Sequence, residues 1–316
     1  MDNQHADLQD STASRQMLVS SISQALPRSL TDEHRQQLEQ FIPEYFRQVP
    51  TEELHEIGTE DLAGLALSHW QLARTEKPDT PRREVYNPTF DSHGWQSAHT
   101  VIQIAANDQP WLVSSMQTRM DQAGLAIHRI IHPILPVQRD SDGKWQNLNE
   151  SQARESLIHI EIDARKNSEL AEVTTLVDDV FLSLNSIRAD SSAMQEHLAS
   201  VADSLLDKEQ ASFVRWLDDK LFACFGYARL KHDDRFTQLH DALGILATPL
   251  ESKQWSVTDL LPEGVDANTL KSAFAKNELV ICKAGNLSPV MRNEACLLYT
   301  SPSPRDRTRS RMPSSA

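Results

Sequence analysis

Apolar and polar positions change period several times along the chain, and each change marks an element. From Asn107 to Ile131 the sequence reads NDQPWLVSSMQTRMDQAGLAIHRII. Asn107-Asp108-Gln109-Pro110 is a turn signal. Leu112, Val113, Met116, Met120 and Ala123 follow at helical spacing and are expected on one face. Gly124 is placed to end that helix in a left-handed cap, and a β-branched run from Ile127 to Ile134 begins at once. Before the turn, His99–Ala106 reads as a strand. Asp140–Gly143 reads as a hairpin turn, and Leu157–Ile162 as another strand. There Ile158, Ile160 and Ile162 point one way, while His159, Glu161 and Asp163 point the other. Glu169–Ile187 is a second strong helix, with Leu170, Val173, Leu176, Val177, Val180, Phe181, Leu184 and Ile187 on one broad stripe.

The unit is a βαββα arrangement, so the fold class is α+β. Two helices on one side of the sheet would bury the isoleucines. The face carrying His159 and Glu161 is expected to stay open, available for contact with another domain or subunit. A fourth strand is missing after the second helix. Glu84–Phe90 could supply it, or the edge could be left to another domain.

Helical periodicity also flanks this unit. Met1–Ser14 is polar and expected to fray, and Met17–Leu26 is a short helix. Thr31 is a candidate N-cap for a helix with the stripe Leu38, Phe41, Ile42, Tyr45 and Phe46. A further helix starts at Pro50, and Leu54, Ile57, Leu62, Leu65, Ala66 and Trp70 continue the pattern across a break at Gly58-Thr59. We assign residues 1–76 to a helical cap, with a linker at Lys77–Arg83, and 84–190 to the βαββα domain. Residues 191–216 form a connecting helix, and 217–295 a partial second α+β domain. That last stretch has strands at Leu221–Leu230 and Glu278–Lys283, a mixed stretch at Phe236–Leu250 and a helix at Asp266–Ala275.

The order strand–turn–helix–strand, with Asp108-x-Pro110-x-Leu112-Val113 at the turn and Gly124 followed by hydrophobic residues, resembles an ACT domain, a ferredoxin-like regulatory module. Val85-Tyr86-Asn87-Pro88 and His93-Gly94-Trp95-Gln96-Ser97-Ala98-His99-Thr100 narrow the resemblance. They are similar to the amino-terminal region of the large-subunit class of bacterial NAD-specific glutamate dehydrogenases. The resemblance spans roughly Leu62 to Ala295. It implies that this chain is the regulatory and assembly front of an enzyme that oxidatively deaminates L-glutamate to 2-oxoglutarate and ammonium. NAD would then be the cofactor of the parent enzyme, with none bound by this fragment. The implied partners are a downstream catalytic domain, further copies of the chain in a homo-oligomer, and an amino-acid effector. Two alternatives from other classes are a free-standing amino-acid sensor and a structural oligomerisation module.

Charge and ending change this picture in two ways. The formal net charge is −14, which repels phosphate backbones and anionic lipid, so neither nucleic acid nor a membrane surface is an expected partner. With no membrane-length apolar run and no secretory leader pattern, the expected location is the cytoplasm. Cys296–Asp306 (CLLYTSPSPRD) can be back-translated to a sequence that resembles a transposon-end sequencing adapter read in frame, so we read residues 296–316 as an artefactual or disordered tail and set it aside. A natural basic tail is the alternative. Without its four arginines and one aspartate the charge becomes −17.

Chemistry-bearing patterns are sparse. The chain has nine glycines and no G-x-G-x-x-G or P-loop among them, so the tight backbone approach that a pyrophosphate needs is missing. No catalytic residue is assigned. His128, His132 and His159 with Glu161 could converge on zinc. The loose spacing favours polar decoration, and no metal ligand is assigned. Cys224 and Cys282 read as small apolar side chains. Trp95 and His93 could contact a ligand, but packing of the lead-in is the preferred reading. The candidate effector-binding residues are Asn107, Asp108, Gln109, Pro110 and Trp111, because the helix that follows offers N–H donors to a carboxylate. Related modules carry glycine where this chain has Trp111, which removes space for a ligand.

Overall fold

The computed structural model describes residues 2–74, 81–150, 154–205, 207–216, 223–232, 237–248, 250 and 290. The described part falls into two compact units, Met1–Phe181 and Leu182–Ala316.

The first unit begins with four helices. α1 (Asp2–Gln24) starts twelve residues before Ser14, so the polar start is helical and not frayed. α2 (Asp32–Tyr45) opens on Thr31, whose side chain accepts the His34 N–H. α3 (Thr51–His55) and α4 (Thr59–Arg74) are separated at Gly58 as the pattern predicts. Leu38, Phe41, Ile42, Tyr45, Leu54, Leu62, Leu65 and Trp70 are all fully buried. These stripes bury themselves against each other and against the sheet.

That sheet comprises β1 (Arg82–Tyr86), β2 (Thr100–Asn107), β3 (Ile127–Ile131), β4 (Ile134–Arg139), β5 (Trp145–Leu148) and β6 (Arg154–Ile162). Its order is β1-β2-β6-β4-β5, and β3 pairs with β6 as well. All pairs are antiparallel. β3 meets the His159–Ile162 end of β6 and β4 the Arg154–Ser156 end, so the two share one flank on either side of a break at His132-Pro133. The strand missing from the pattern is β1. It lies beside β2 where a ferredoxin-like module places its last strand, but it reaches that place from the amino-terminal side.

Between β2 and β3 runs α6 (Leu112–Gln122), and after β6 comes α7 (Leu170–Ser204). Gly124 (φ 69) closes α6 as expected. Leu125 N–H reaches the Met120 carbonyl at 2.9 Å and Gly124 N–H the Asp121 carbonyl at 3.0 Å, the paired bonds of a Schellman cap. Leu112, Met116 and Met120 are buried, but Ala123 is exposed. Its place in the apolar contact is taken by Leu125, beyond the cap. The 140–143 turn forms as predicted, with Gly143 at φ 79 and the Asp140 Oδ1 accepting from Asp142 and Lys144.

Register assigns the sheet faces. Ile102 and Ile104 sit opposite Ile160 and Ile158, and all four are buried on the side of α6 and α7. Val101, Gln103 and Ala105 sit opposite Glu161, His159 and Leu157 on the other face. That face is not open. Val101, Ala105, Leu135, Trp145 and Leu157 belong to one buried cluster with the apolar stripes of α1, α2 and α4. The expectation failed because alternation reports only which residues share a face. What covers that face is decided by a layer contributed from more than thirty residues upstream.

In the second unit, α7 continues without a break through residue 190, and α8 (Lys208–Trp216) follows separately. β7 (Gly226–His232) and β8 (Thr237–Gly244) form a hairpin. The strand expected from Leu221 thus starts at Gly226, with residues 217–222 outside the described part. Gly244 (φ 62) ends β8, and its N–H donates to Asp190 Oδ2 at 2.7 Å. The segments expected at 266–275 and 278–283, and the tail at 296–316, also lie outside the described residues.

Candidate functional site

The Asn107–Trp111 turn leaves β2 and enters α6. Asp108 N–H donates to the Arg154 carbonyl at 3.1 Å, which pins the turn to the start of β6. Asp108 Oδ1 accepts the Ser156 hydroxyl at 2.7 Å, and His132 Nε2 lies 3.2 Å from that same Ser156 Oγ. Burial lowers the His132 pKa, opposed by the nearby Asp108 carboxylate. α6 itself starts without a side-chain cap. Trp111 adopts φ 64, a left-handed backbone that bulky residues rarely take. The position where a glycine would be at ease is therefore the position that needs a glycine-like conformation. Trp111 remains 38% exposed. Sequence reasoning placed a turn at these five residues, as the structure has it, but did not bring Ser156 and His132 to it, which only strand register does.

Under the helical layer lies a buried polar array. His69 Nε2–H donates to the Ile104 carbonyl at 2.9 Å, so its Nδ1 accepts from the Tyr45 hydroxyl at 2.7 Å. Burial lowers the His69 pKa to about 3, only partly offset by the bond to Ile104. The Gln103 amide reaches Ser68 Oγ at 3.1 Å, the Leu65 carbonyl at 3.3 Å and His159 Nδ1 at 3.4 Å. His159 Nε2 then meets Glu161 Oε1 at 3.2 Å, and Arg129 donates to Glu161 Oε2 at 2.9 Å. Burial would raise the Glu161 pKa, but the His159 and Arg129 partners prevail and hold it at about 2. The bonds tie α2 to α4, α4 to the sheet, and strands of the sheet to one another, which is how buried polar groups are tolerated. Gln103 Oε1 alone in this array is buried without a partner.

Residues 41–179 match the family model of the glutamate dehydrogenase ACT1 domain. This stretch of the chain belongs to that family. The match begins inside α2 and ends in α7, so the ACT1 domain takes in helical layer as well as sheet. The chain is also 30% identical over 228 residues to the NAD-specific glutamate dehydrogenase of Halomonas elongata, covering 66% of this chain and 14% of that protein. With the NAD-specific glutamate dehydrogenase of Pseudomonas aeruginosa it shares 28% identity over 277 residues, covering 82% of this chain and 17% of that protein. The chain therefore spans less than a fifth of the length of these relatives.

Within the ACT1 domain the three histidines considered for zinc do not converge. His128 pairs with Asp163 at 2.8 Å, His132 with Ser156, and His159 is buried against Glu161. The β3 register shift between Ile127 and Arg129 breaks the shared face on which their spacing relied. Among the described residues no group of three or more metal-ligating side chains is assembled. His128 instead stacks on His99 at 4.1 Å, and His99 reaches Glu161 Oε2 at 3.1 Å. Trp95 is buried, and a Cβ on Gly64 would lie 2.4 Å from its own, so Trp95 is a packing residue seated on a bare helix backbone. His93 is exposed and stacks on Tyr86. Outside the domain, Cys224 lies 3.9 Å from the Met194 sulfur, and burial pushes its thiol pKa up. Cys282 is outside the described residues. No helix among the described residues is long and apolar enough to cross a membrane.

Proposed function

We propose that this chain is the regulatory and assembly portion of an NAD-specific glutamate dehydrogenase, a cytoplasmic homo-oligomer that converts L-glutamate to 2-oxoglutarate and ammonium. The catalytic centre and the NAD site would lie in a domain downstream of the residues present here. The observation that carries the reading is the match of residues 41–179 to the ACT1 domain, a sheet-and-helix body in which His69, His159 and Glu161 serve as internal ties. The names of the two relatives supply the reaction.

Within that role, the Asn107–Trp111 turn would receive a free amino acid. Its α-carboxylate would meet the N-terminal N–H groups of α6, favoured by the helix dipole. Asp108 spends Oδ1 on Ser156, which leaves Oδ2 to meet an α-ammonium group. The Trp111 indole would wall one side. Titration calorimetry of the whole chain against the common amino acids is expected to give saturable heat with at least one, abolished by Asp108→Ala. An absence of heat with all of them removes the effector assignment. NAD reduction by this chain alone, in the presence of glutamate, would overturn the placement of catalysis elsewhere.

A further inference from the structure

A second recess lies between α4, β1 and α5 (Phe90–His93). Its volume is about 340 Å³, and its lining includes Ser68, Gln71, Glu84, Tyr86, Ser92 and His93. Register sets Glu84 and Tyr86 on the sheet face covered by α4, opposite Gln103 and Val101.

The hydrogen-bonding groups of this recess divide into those already used and those left over. Tyr86 donates to Ser68 Oγ at 3.2 Å, and Ser68 donates to the Leu65 carbonyl at 3.0 Å, so both hydroxyls are committed inward. His93 Nδ1 accepts the Thr89 N–H at 3.2 Å. Its ring stacks on Tyr86 with centroids 4.8 Å apart and planes at 27°. Arg82, two residues along the same face, is turned to the Leu72 carbonyl at 3.1 Å. What remains are the polar ends of Gln71 and Ser92 and, as the one carboxylate of the described lining, Glu84, which is exposed and has no ion-pair partner among the described residues.

A carboxylate beside a stacked pair of rings, with no lysine or arginine among the described lining residues, selects for positive charge. The Tyr86 ring face attracts a cation by about 0.5–2 kcal/mol, and the carboxylate adds a direct Coulomb attraction. The net charge of −14 raises the local cation concentration further. A carboxylate or phosphate ligand would be repelled by the same features. The volume sits at the small end of ligand cavities, on the order of 300–1,000 Å³. We propose that this recess is a binding site for a small organic ammonium ion, with Glu84 as counter-ion and the Tyr86–His93 pair as its aromatic wall.

Titration calorimetry of the whole chain with putrescine and with tetramethylammonium tests this, with 1,4-butanediol as the uncharged counterpart. Both cations are expected to bind saturably, and the diol is not. Raising NaCl from about 20 to about 200 mM is expected to weaken binding several-fold. Glu84→Gln and His93→Ala are each expected to weaken it at least about fivefold. The melting temperature of Glu84→Gln is expected to stay unchanged because that side chain is exposed and makes no ion pair among the described residues. His93→Ala also loses the Thr89 bond and the Tyr86 stack and is read only on binding. Asp108→Ala, in the separate amino-acid turn, leaves the ammonium heats as they were, so failure at one site is distinguishable from failure at the other. Equal binding to Glu84→Gln and the parent chain, or no saturable heat with either cation, overturns the proposal.

Discussion

His69 shows how one side chain can fix the relation between two layers. Its two nitrogens are satisfied by Tyr45 from α2 and by the Ile104 carbonyl of β2, and it is fully buried. His69→Ala would strand a hydroxyl and a carbonyl, at a cost on the order of 2–4 kcal/mol in a denaturant titration followed by tryptophan fluorescence. The same residue sets a pH dependence. Burial depresses its pKa from 6.5 to about 3, so the folded chain binds fewer protons than the unfolded one below pH 6.5. Stability is then fully present above pH 6.5 and is lost as pH falls towards 3. His159, also lowered by burial, acts in the same direction. His69→Gln cannot titrate, so its stability is expected to fall less steeply between pH 6.5 and 5 than that of the parent chain. Gly64 makes a purely steric case. A Cβ there would lie 2.4 Å from the Trp95 Cβ, and Gly64→Ala is expected to cost about 1–3 kcal/mol by overpacking.

Among elements, Arg139 of β4 holds a corner that no periodicity reveals. Its Nε and Nη2 engage both oxygens of Glu155 on β6 at 2.7 and 2.6 Å. The same guanidinium donates to the Ala73 carbonyl at the end of α4 and to Gly143 in the hairpin turn, each at 2.8 Å. Both charged side chains are nearly buried. Lysine can match the charge but not the fork, so Arg139→Lys is expected to lose about 2–4 kcal/mol, read as a lower denaturation midpoint. What the sequence made legible follows the same division. The Thr31 cap, the Gly124 stop and the isoleucine face of β6 are local signals, and each stands in the structure. The upstream strand was one of the two options the sequence left open, at Glu84–Phe90, and it stands two residues earlier as β1. The cover over His159 and Glu161 and the neighbours Ser156 and His132 at the effector turn depend on pairings between distant segments. Composition and spacing carry no such register. Trp111 was legible only as lost space where related modules carry glycine; its left-handed backbone was not.

At the scale of the whole molecule, the question is where an independently folding piece begins. Periodicity alone suggests a detachable sheet domain at 84–190, with the helices before it as a separate cap. The structure places Trp70, Leu65 and Phe41 in one buried cluster with Val101, Leu135 and Trp145, and β1 begins at Arg82. Cutting at residue 84 would uncover that apolar surface and the buried side chains Gln103, His159 and Glu161 together. It would also remove Arg82 and Arg83 from the edge strand that shields β2. Exposed apolar area costs about 25 cal/mol per Å², and an uncovered strand edge invites aggregation. A fragment spanning 84–190 is therefore expected to be insoluble or molten, with poor amide dispersion in a proton–nitrogen correlation spectrum. A fragment spanning 13–190, which retains the helical layer, is expected to fold cooperatively with well-dispersed amides. A stable, well-dispersed 84–190 fragment would show that the helical layer is an accessory to the sheet and not half of its core.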